Sequence, residues 1–98
     1  MDNQKSKIEN RKSVGQVTEI EKDEIQRLFE RRNGLKELFQ SINENNDSLY
    51  NRVVEDMGKT SVEFQKWWDD KSAKYGWEGT AEGKWEIDFN TGVIYLVS

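Results

Sequence analysis

Behind a polar N-terminal stretch, apolar residues recur every three to four positions, which predicts a long amphipathic helix. The stripe consists of Ile25, Leu28, Leu35, Phe39 and Ile42, with Arg32 at the intervening position and Phe29 and Leu38 widening it. Thr18 and Glu21 fit a capping box, in which a hydroxyl and a carboxylate satisfy free N–H groups at a helix start. Gly34 interrupts the pattern, but the stripe keeps its phase. We therefore predict one long helix with a weak point at Gly34, in preference to two helices.

A polar run at residues 43–47 predicts a loop, after which the apolar pattern resumes. Asp47 or Ser48 is the expected cap of a second helix. A break is expected at Gly58, because residues 60–63 repeat the capping-box pattern and would open a third segment that ends at Gly76. The helical part is thus predicted to contain two to three helices, namely the long N-terminal helix and a helical hairpin.

From residue 77 onward the period changes to two, which predicts a C-terminal antiparallel β-hairpin. A three-residue loop at residues 90–92 fits a type I turn followed by a left-handed glycine. This loop sets three cross-strand pairs, which are Phe89 with Val93, Ile87 with Tyr95 and Trp85 with Val97. Their shared face must cover the helices, because an isolated hairpin is barely stable. The predicted fold class is α+β, with two to three helices packed against a two-stranded antiparallel hairpin.

The opposite hairpin face carries two aliphatic residues, Ile94 and Leu96, beside two acidic ones, Glu86 and Asp88. Two interpretations are open. Either Ile94 and Leu96 form an exposed docking surface, or the N-terminal helix or the loop at residues 77–83 covers them, which is the more ordinary outcome. The hairpin also has an unpaired edge, which is suited to accept an extended peptide by strand addition.

The four tryptophans allow a functional and a structural interpretation. Trp67, Trp68, Trp77 and Trp85 either form an aromatic platform for a peptide or, as is commoner in a small domain, make up the core. We expect Trp68 and Trp85 to be buried and Trp77, at the helix exit, to be partly exposed. The candidate binding residues are therefore Trp77, Ile94 and Leu96.

Length and charge favour one small domain with a tail. The chain has 98 residues, of which 35% are charged and 34% hydrophobic, and its net charge is −4. Residues 1–16 hold four basic and two acidic side chains and few apolar ones. We predict a flexible basic tail at residues 1–16 and a single α+β domain at residues 17–98. No signal sequence and no apolar stretch of the roughly 20 residues that a membrane span needs is evident, so a cytoplasmic protein without membrane contact is expected.

The absent residue types exclude much chemistry. The chain has no Cys and no His, so thiolate metal sites, iron–sulfur clusters and the commonest general base are ruled out. Asp69 and Asp70 diverge on a helix and do not form a metal site. Residues 17–98 carry seventeen acids against eleven bases, which disfavours nucleic-acid binding. We predict no catalytic residue, no metal and no cofactor, and therefore a small binding or interaction domain.

Seven short blocks follow one another along almost the whole predicted domain. They are Val14-Gly15-Gln16-Val17-Thr18-Glu19, Glu30-Arg31-Arg32-Asn33-Gly34-Leu35, Leu49-Tyr50, Asp56-Met57-Gly58, Phe64-Gln65-Lys66-Trp67-Trp68, Lys74-Tyr75-Gly76-Trp77 and Trp85-Glu86-Ile87-Asp88-Phe89. In this order they resemble the small family of CXXX repeat peptide modification system proteins. Each block alone is unspecific, and the resemblance depends on their joint order over residues 14–97.

The resemblance implies a role beside a peptide-modifying enzyme. Members of that family are encoded next to a peptide in which Cys recurs every fourth residue and next to a radical S-adenosylmethionine maturase, an enzyme class that crosslinks ribosomally made peptides. The implied partners are the Cys-repeat precursor peptide and the radical SAM maturase. No catalytic motif is established for the small protein, so the resemblance assigns no active residue. Without Cys, this chain cannot hold the iron–sulfur cluster itself.

Three hypotheses for the function remain. The first is a non-catalytic accessory or adaptor protein, to whose hairpin edge an extended leader segment adds, with Trp77, Ile94 and Leu96 as apolar anchors. The second is an acidic inhibitor or immunity-type protein that binds a basic protein by charge complementarity. The third is an enzyme that uses only carboxylates, Lys or Tyr. Nothing in the sequence sets the oligomeric state.

Overall fold

In the computed structural model, which describes residues 11–42 and 47–98, the chain forms two helices and a three-stranded antiparallel sheet. The elements follow in the order β1 (Arg11–Gln16), α1 (Glu19–Ser41), α2 (Asp47–Tyr75), β2 (Lys84–Ile87) and β3 (Val93–Val97). The predicted α+β class is confirmed, with one strand more than expected.

The chain divides into two compact units, each with its own packing. The helical unit is Asp23–Asp70, and the sheet unit combines Met1–Lys22 with Lys71–Ser98. Residues 1–10 and 43–46 lie outside the described residues, and with them most of the predicted tail and of the predicted polar loop. The single domain proposed for residues 17–98 stays a prediction.

Helix α1 begins with the predicted capping box. The Glu21 backbone N–H donates to the Thr18 hydroxyl over 3.1 Å, and the Thr18 N–H donates to the Glu21 carboxylate over 2.9 Å. The helix continues through Gly34 without a break, as predicted. Ile25 is fully buried, whereas Leu38 is 42% exposed and lies outside the stripe.

Helix α2 is continuous, so the predicted break at Gly58 and the third helical segment are wrong. Val53, Thr60 and Trp67 are buried at intervals of seven residues, which gives the helix one unbroken buried line across the glycine. The hydroxyl of Thr60 does not cap a helix but accepts a hydrogen bond from Arg31 Nε over 3.2 Å. The predicted end is confirmed: α2 ends at Tyr75, and Gly76 follows with a left-handed φ of 62°.

Two arginines of α1 are used inside the helical unit. Arg31 lies 3.8 Å from the Asp56 carboxylate in addition to its bond with Thr60. The Arg32 guanidinium lies over the Phe64 ring, 4.3 Å from its centroid. These contacts join α1 and α2 within the unit, so Arg31 and Arg32 have structural partners there.

Strand β1 corrects the prediction of a flexible tail for residues 11–16, the part of that tail that the structure describes. Arg11–Gln16 pairs antiparallel with β3, with a bulge between Ser13 and Gly15. The strand order is β1-β3-β2, so β3 is the central strand and one of the two edges of the predicted hairpin, that of β3, is occupied. The sequence pattern missed β1 because its apolar and polar residues do not alternate.

The predicted hairpin is present, but its register is wrong by one residue. Trp85 pairs with Leu96 and Ile87 with Ile94. The reason is a four-residue loop: Asp88 N donates to the Val93 carbonyl over 2.9 Å, which leaves residues 89–92 as the turn instead of residues 90–92. The Asp88 carboxylate stabilises this turn by accepting the Asn90 N–H over 2.8 Å. Because side chains alternate along a strand, the slip moves Ile94 and Leu96 onto the face of Trp85 and Ile87.

Candidate functional site

The three predicted binding residues are all buried in the sheet unit. Trp77 is 8% exposed, Ile94 is fully buried and Leu96 is 6% exposed. Their predicted exposure is therefore wrong, including the partial exposure expected for Trp77, whereas their role in binding stays a prediction. Of the two interpretations of Ile94 and Leu96, the structure supports the covered one.

The loop at residues 77–83 covers this face of the sheet. Trp85 Nε1 donates to the Glu78 carbonyl over 2.9 Å, which fixes the loop to β2. The backbone at Gly83 approaches Leu96 so closely that a Cβ there would lie 2.8 Å from Leu96 Cδ1. Leu96 thus lies against a segment that follows α2.

Strand β1 lies among the three predicted anchors. Gly15 pairs with Ile94, and Lys12 pairs with Leu96. The Trp77 indole covers Gly15, where an added Cβ would lie 2.5 Å from Trp77 Nε1 and 2.6 Å from Cδ1. We call β3 and Trp77 together the acceptor edge, because they hold an extended segment between a strand and an aromatic ring. The close approach requires glycine at that position of the segment.

Side-chain contacts of β1 lie mostly at the surface. Lys12 Nζ lies 2.9 Å from the Glu78 carboxylate, and these side chains are 64% and 52% exposed. Gln16 Nε2 donates to the Thr91 carbonyl over 2.9 Å, and the Arg11 guanidinium lies 3.9 Å from the Tyr95 ring centroid. Exposed ion pairs contribute little stability. Main-chain pairing and the Gly15–Trp77 contact therefore account for most of the attachment of β1.

An aromatic row backs the acceptor edge. The Trp77 ring stacks on Tyr75 at a centroid distance of 5.8 Å and an interplanar angle of 6°, and it meets Trp85 edge-on at 5.8 Å. The prediction that Trp68 and Trp85 are the buried tryptophans is wrong: both are half-buried, and Trp67 and Trp77 are buried. Trp77 is buried because β1 packs against it, and β1 was not predicted.

Glu21 is the centre of a charged cluster near the start of α1. Its carboxylate accepts hydrogen bonds from Lys74 Nζ over 2.6 Å and from the Tyr75 hydroxyl over 2.5 Å, and Lys71 Nζ lies 4.0 Å away. The sequence indicated only the Thr18 partner of Glu21. The others come from the end of α2, and the two that donate hydrogen bonds are 53 and 54 positions away along the chain.

The cluster changes the ionisation of its members. Burial by itself would raise the pKa of Glu21, but hydrogen bonds from Lys74, Tyr75 and Thr18 together outweigh it and lower the pKa to about 2. The hydrogen bond with Glu21 raises the pKa of Lys74 and that of Tyr75. Both Glu21 oxygens are engaged, one by Thr18 and Tyr75 and the other by Lys74. This arrangement suits an ionised, structural carboxylate better than a proton-transferring one.

The acidic pair of α2 is also held by neighbours on its own helix. Asp69 accepts from Gln65 Nε2 over 3.0 Å, and Asp70 accepts from Lys66 Nζ over 3.0 Å. Within residues 11–42 and 47–98, no group of three or more acidic side chains could hold a metal ion.

The other face of the sheet has an apolar central row. Val93, Tyr95 and Val97 are half-buried on it, with Arg11 beside Tyr95 and with Lys84 and Glu86 exposed on β2. Antiparallel sheets commonly turn one such face to water. The register slip therefore exchanges the faces of β3 alone: Val93, Tyr95 and Val97, which were predicted to face the core, lie on the more open side.

No family model, curated protein or solved structure matches this chain. Neither described helix has a stretch that is both long and apolar enough to cross a membrane.

Proposed function

We propose that this chain is a non-catalytic accessory protein of a ribosomally synthesised peptide modification system, and that it acts in the cytoplasm. It binds the Cys-repeat precursor peptide, the radical S-adenosylmethionine maturase, or both. The resemblance of the seven sequence blocks motivates the proposal. The observation that carries it is the acceptor edge, which holds an extended six-residue segment along β3 and under Trp77.

Strand pairing is a suitable mode for binding such a precursor. An added strand gains its affinity from main-chain hydrogen bonds, which every peptide offers, and its specificity from a few side-chain positions. A leader segment can thus be bound while the Cys-repeat region stays accessible to the maturase. The Glu21 carboxylate caps α1 and accepts a hydrogen bond from Lys74, so this ionisable cluster has a structural role. The proposed function requires no reaction on this protein.

Binding to the two partners tests the proposal. The purified chain is titrated with the precursor peptide and, separately, with the maturase encoded by the neighbouring genes, by calorimetry. We expect a complex with at least one of them at concentrations of roughly tens of micromolar or below. A peptide of the same composition in scrambled order is the matched control and should not bind. Absence of binding to both partners would overturn the accessory role.

A further inference from the structure

The acceptor edge is occupied by a segment whose removal would expose it. Strand β1 supplies only two half-buried residues, Val14 and Gly15, and its other four are exposed. By contrast, β3 alternates between buried and half-buried residues, and Ile94 and Leu96 belong to the core. The stable part of the site is therefore β3 with Trp77, and β1 is the weakly embedded part.

We propose that β1 can be displaced from the acceptor edge by a peptide ligand. This ligand is an extended peptide with glycine under Trp77 and a basic residue three positions before that glycine. The inference rests on the proposed function and deepens it, because it names the kind of segment that is bound. The chain's own strand then competes with that peptide for β3.

The glycine requirement follows from the geometry at Gly15. An added Cβ would lie 2.5 Å from Trp77 Nε1, a separation that non-bonded carbon and nitrogen atoms do not reach. Trp77 is held in place by its stacking on Tyr75 and its edge contact with Trp85, so the ring cannot move aside without loss of both. Any other residue at this position must displace either the strand or the ring.

The basic residue follows from the contact of Lys12. Its Nζ lies 2.9 Å from one carboxylate oxygen of Glu78 and 3.2 Å from the other. Glu78 belongs to the loop that also contacts Leu96, and its carbonyl is bonded to Trp85 of β2, which pairs with β3. A ligand with Lys or Arg at the corresponding position meets the same carboxylate, although an exposed pair adds selectivity more than affinity.

A reversible lock on β1 tests the exchange. Ser13 and Tyr95 are cross-strand partners, and partners in antiparallel strands are close enough for a disulfide. The chain has no Cys, so the double variant Ser13→Cys with Tyr95→Cys can form only this intramolecular bond. The probe is a fluorescein-labelled synthetic peptide with the sequence of residues 11–18, and its binding is followed by fluorescence anisotropy.

We expect the oxidised double variant not to bind the probe and the reduced form of the same protein to bind it. A second peptide, with valine in place of the glycine, should bind neither form. As an independent measurement in the absence of a disulfide, the Gly15→Val chain, whose own strand no longer fits under Trp77, should bind the probe about tenfold more tightly than the unaltered chain. Circular dichroism verifies that each protein is folded.

Equal binding by the oxidised and reduced forms would overturn the inference, and so would equal binding of the glycine and valine peptides. If no folded form binds the probe, β1 is a permanent strand and the inference fails. These outcomes are separable from a failure of the proposed function, since binding to the maturase and precursor is measured on the unaltered chain. If the maturase binds but β1 does not exchange, the proposed accessory role stands and only the inference about β1 is overturned.

Discussion

At the scale of single residues, Glu21 combines two tasks that are usually separate. It completes a capping box with Thr18 and also accepts hydrogen bonds from Lys74 and Tyr75 at the end of the other helix. Within the sheet unit this ties the first turn of α1 to the last turn of α2. A nearly buried carboxylate with this many donors is stable only when it is ionised.

Replacement of Glu21 by glutamine is expected to destabilise the protein. Glu21→Gln keeps the size of the side chain but removes its charge, so the bonds from Lys74 and Tyr75 lose their ionic character. We expect a loss of about 2 kcal/mol in the free energy of unfolding, measured by urea denaturation at neutral pH. Glu63→Gln, at an exposed position of α2, is the matched control and should stay within about 0.5 kcal/mol of the unaltered chain. Equal effects of the two substitutions would contradict the structural role of Glu21.

The lowered pKa of Glu21 also predicts how stability depends on pH. In the unfolded chain this group titrates near 4.5, and in the folded chain near 2. The stability that ionised Glu21 adds over its protonated form, about 3 kcal/mol, is therefore fully present above the unfolded pKa and is lost as the pH falls from about 4.5 towards 2. The difference in unfolding free energy between the unaltered chain and Glu21→Gln should shrink by about 2 kcal/mol between pH 7 and pH 3. A difference that stays constant over this range would contradict the lowered pKa of Glu21.

At the scale of elements, the surroundings of each glycine decide whether a larger residue could take its place. Gly34 lies within α1 and Gly58 within α2, and a Cβ at either would meet nothing within 4 Å. Both helices continue through them, although glycine is the weaker helix former. Gly15 differs, because the Trp77 indole occupies the space that its side chain would need.

Alanine substitutions at these positions should have opposite effects. We expect Gly34→Ala to raise the free energy of unfolding by about 0.5–1 kcal/mol, because alanine reduces the entropy of the unfolded chain and fits the helix. Gly15→Ala should lower it by about 1–3 kcal/mol, because β1 or Trp77 must shift. Thermal and urea unfolding measure both, and the tryptophan emission spectrum reports the displacement of Trp77. Stabilisation by Gly15→Ala would contradict the close packing of β1.

Much of the element content follows from the sequence, whereas the sheet's details do not. The helical spacing of apolar residues such as Ile25, Leu28 and Leu35 predicts α1, and the alternation of apolar and polar residues predicts the hairpin. Its register depends on whether the turn has three or four residues. The hydrogen bonds of Asp88 that close the four-residue turn are not visible in the pattern, which assigned Ile94 and Leu96 to the wrong face. Strand β1 has no local signal because β3, far along the chain, supplies its pairing. The exposure predicted for the three candidate residues was thus wrong.

At the scale of the whole molecule, the excess of negative charge belongs to one unit. Asp23–Asp70 contains eleven acidic and seven basic residues, whereas residues 11–22 and 71–98 contain six of each. The sheet unit, with the acceptor edge, is therefore electrically neutral. Association at that edge relies on strand pairing and contact with Trp77, with no strong attraction over long distances.

The salt dependence of partner binding separates the accessory role from an acidic inhibitor. Binding of a peptide at the acceptor edge should weaken by no more than about threefold when the ionic strength rises from about 0.05 to 0.5 M, since one exposed ion pair is involved. An inhibitor that binds a basic protein through the helical unit would lose its affinity by orders of magnitude over the same range. Calorimetric titrations at both ionic strengths make the comparison. A steep loss would favour the inhibitor.

The strand order has a consequence for the time course of folding. Gln16 and Thr91, joined at the end of β1, are 75 positions apart, with both helices between them. Helical turns and the hairpin close over short loops and form quickly, whereas the pairing of β1 requires the closure of a much longer loop. Between these events, a partly folded molecule presents β3 before β1 has paired with it. A peptide that is present during synthesis thus meets a vacant partner strand, before any competition from within.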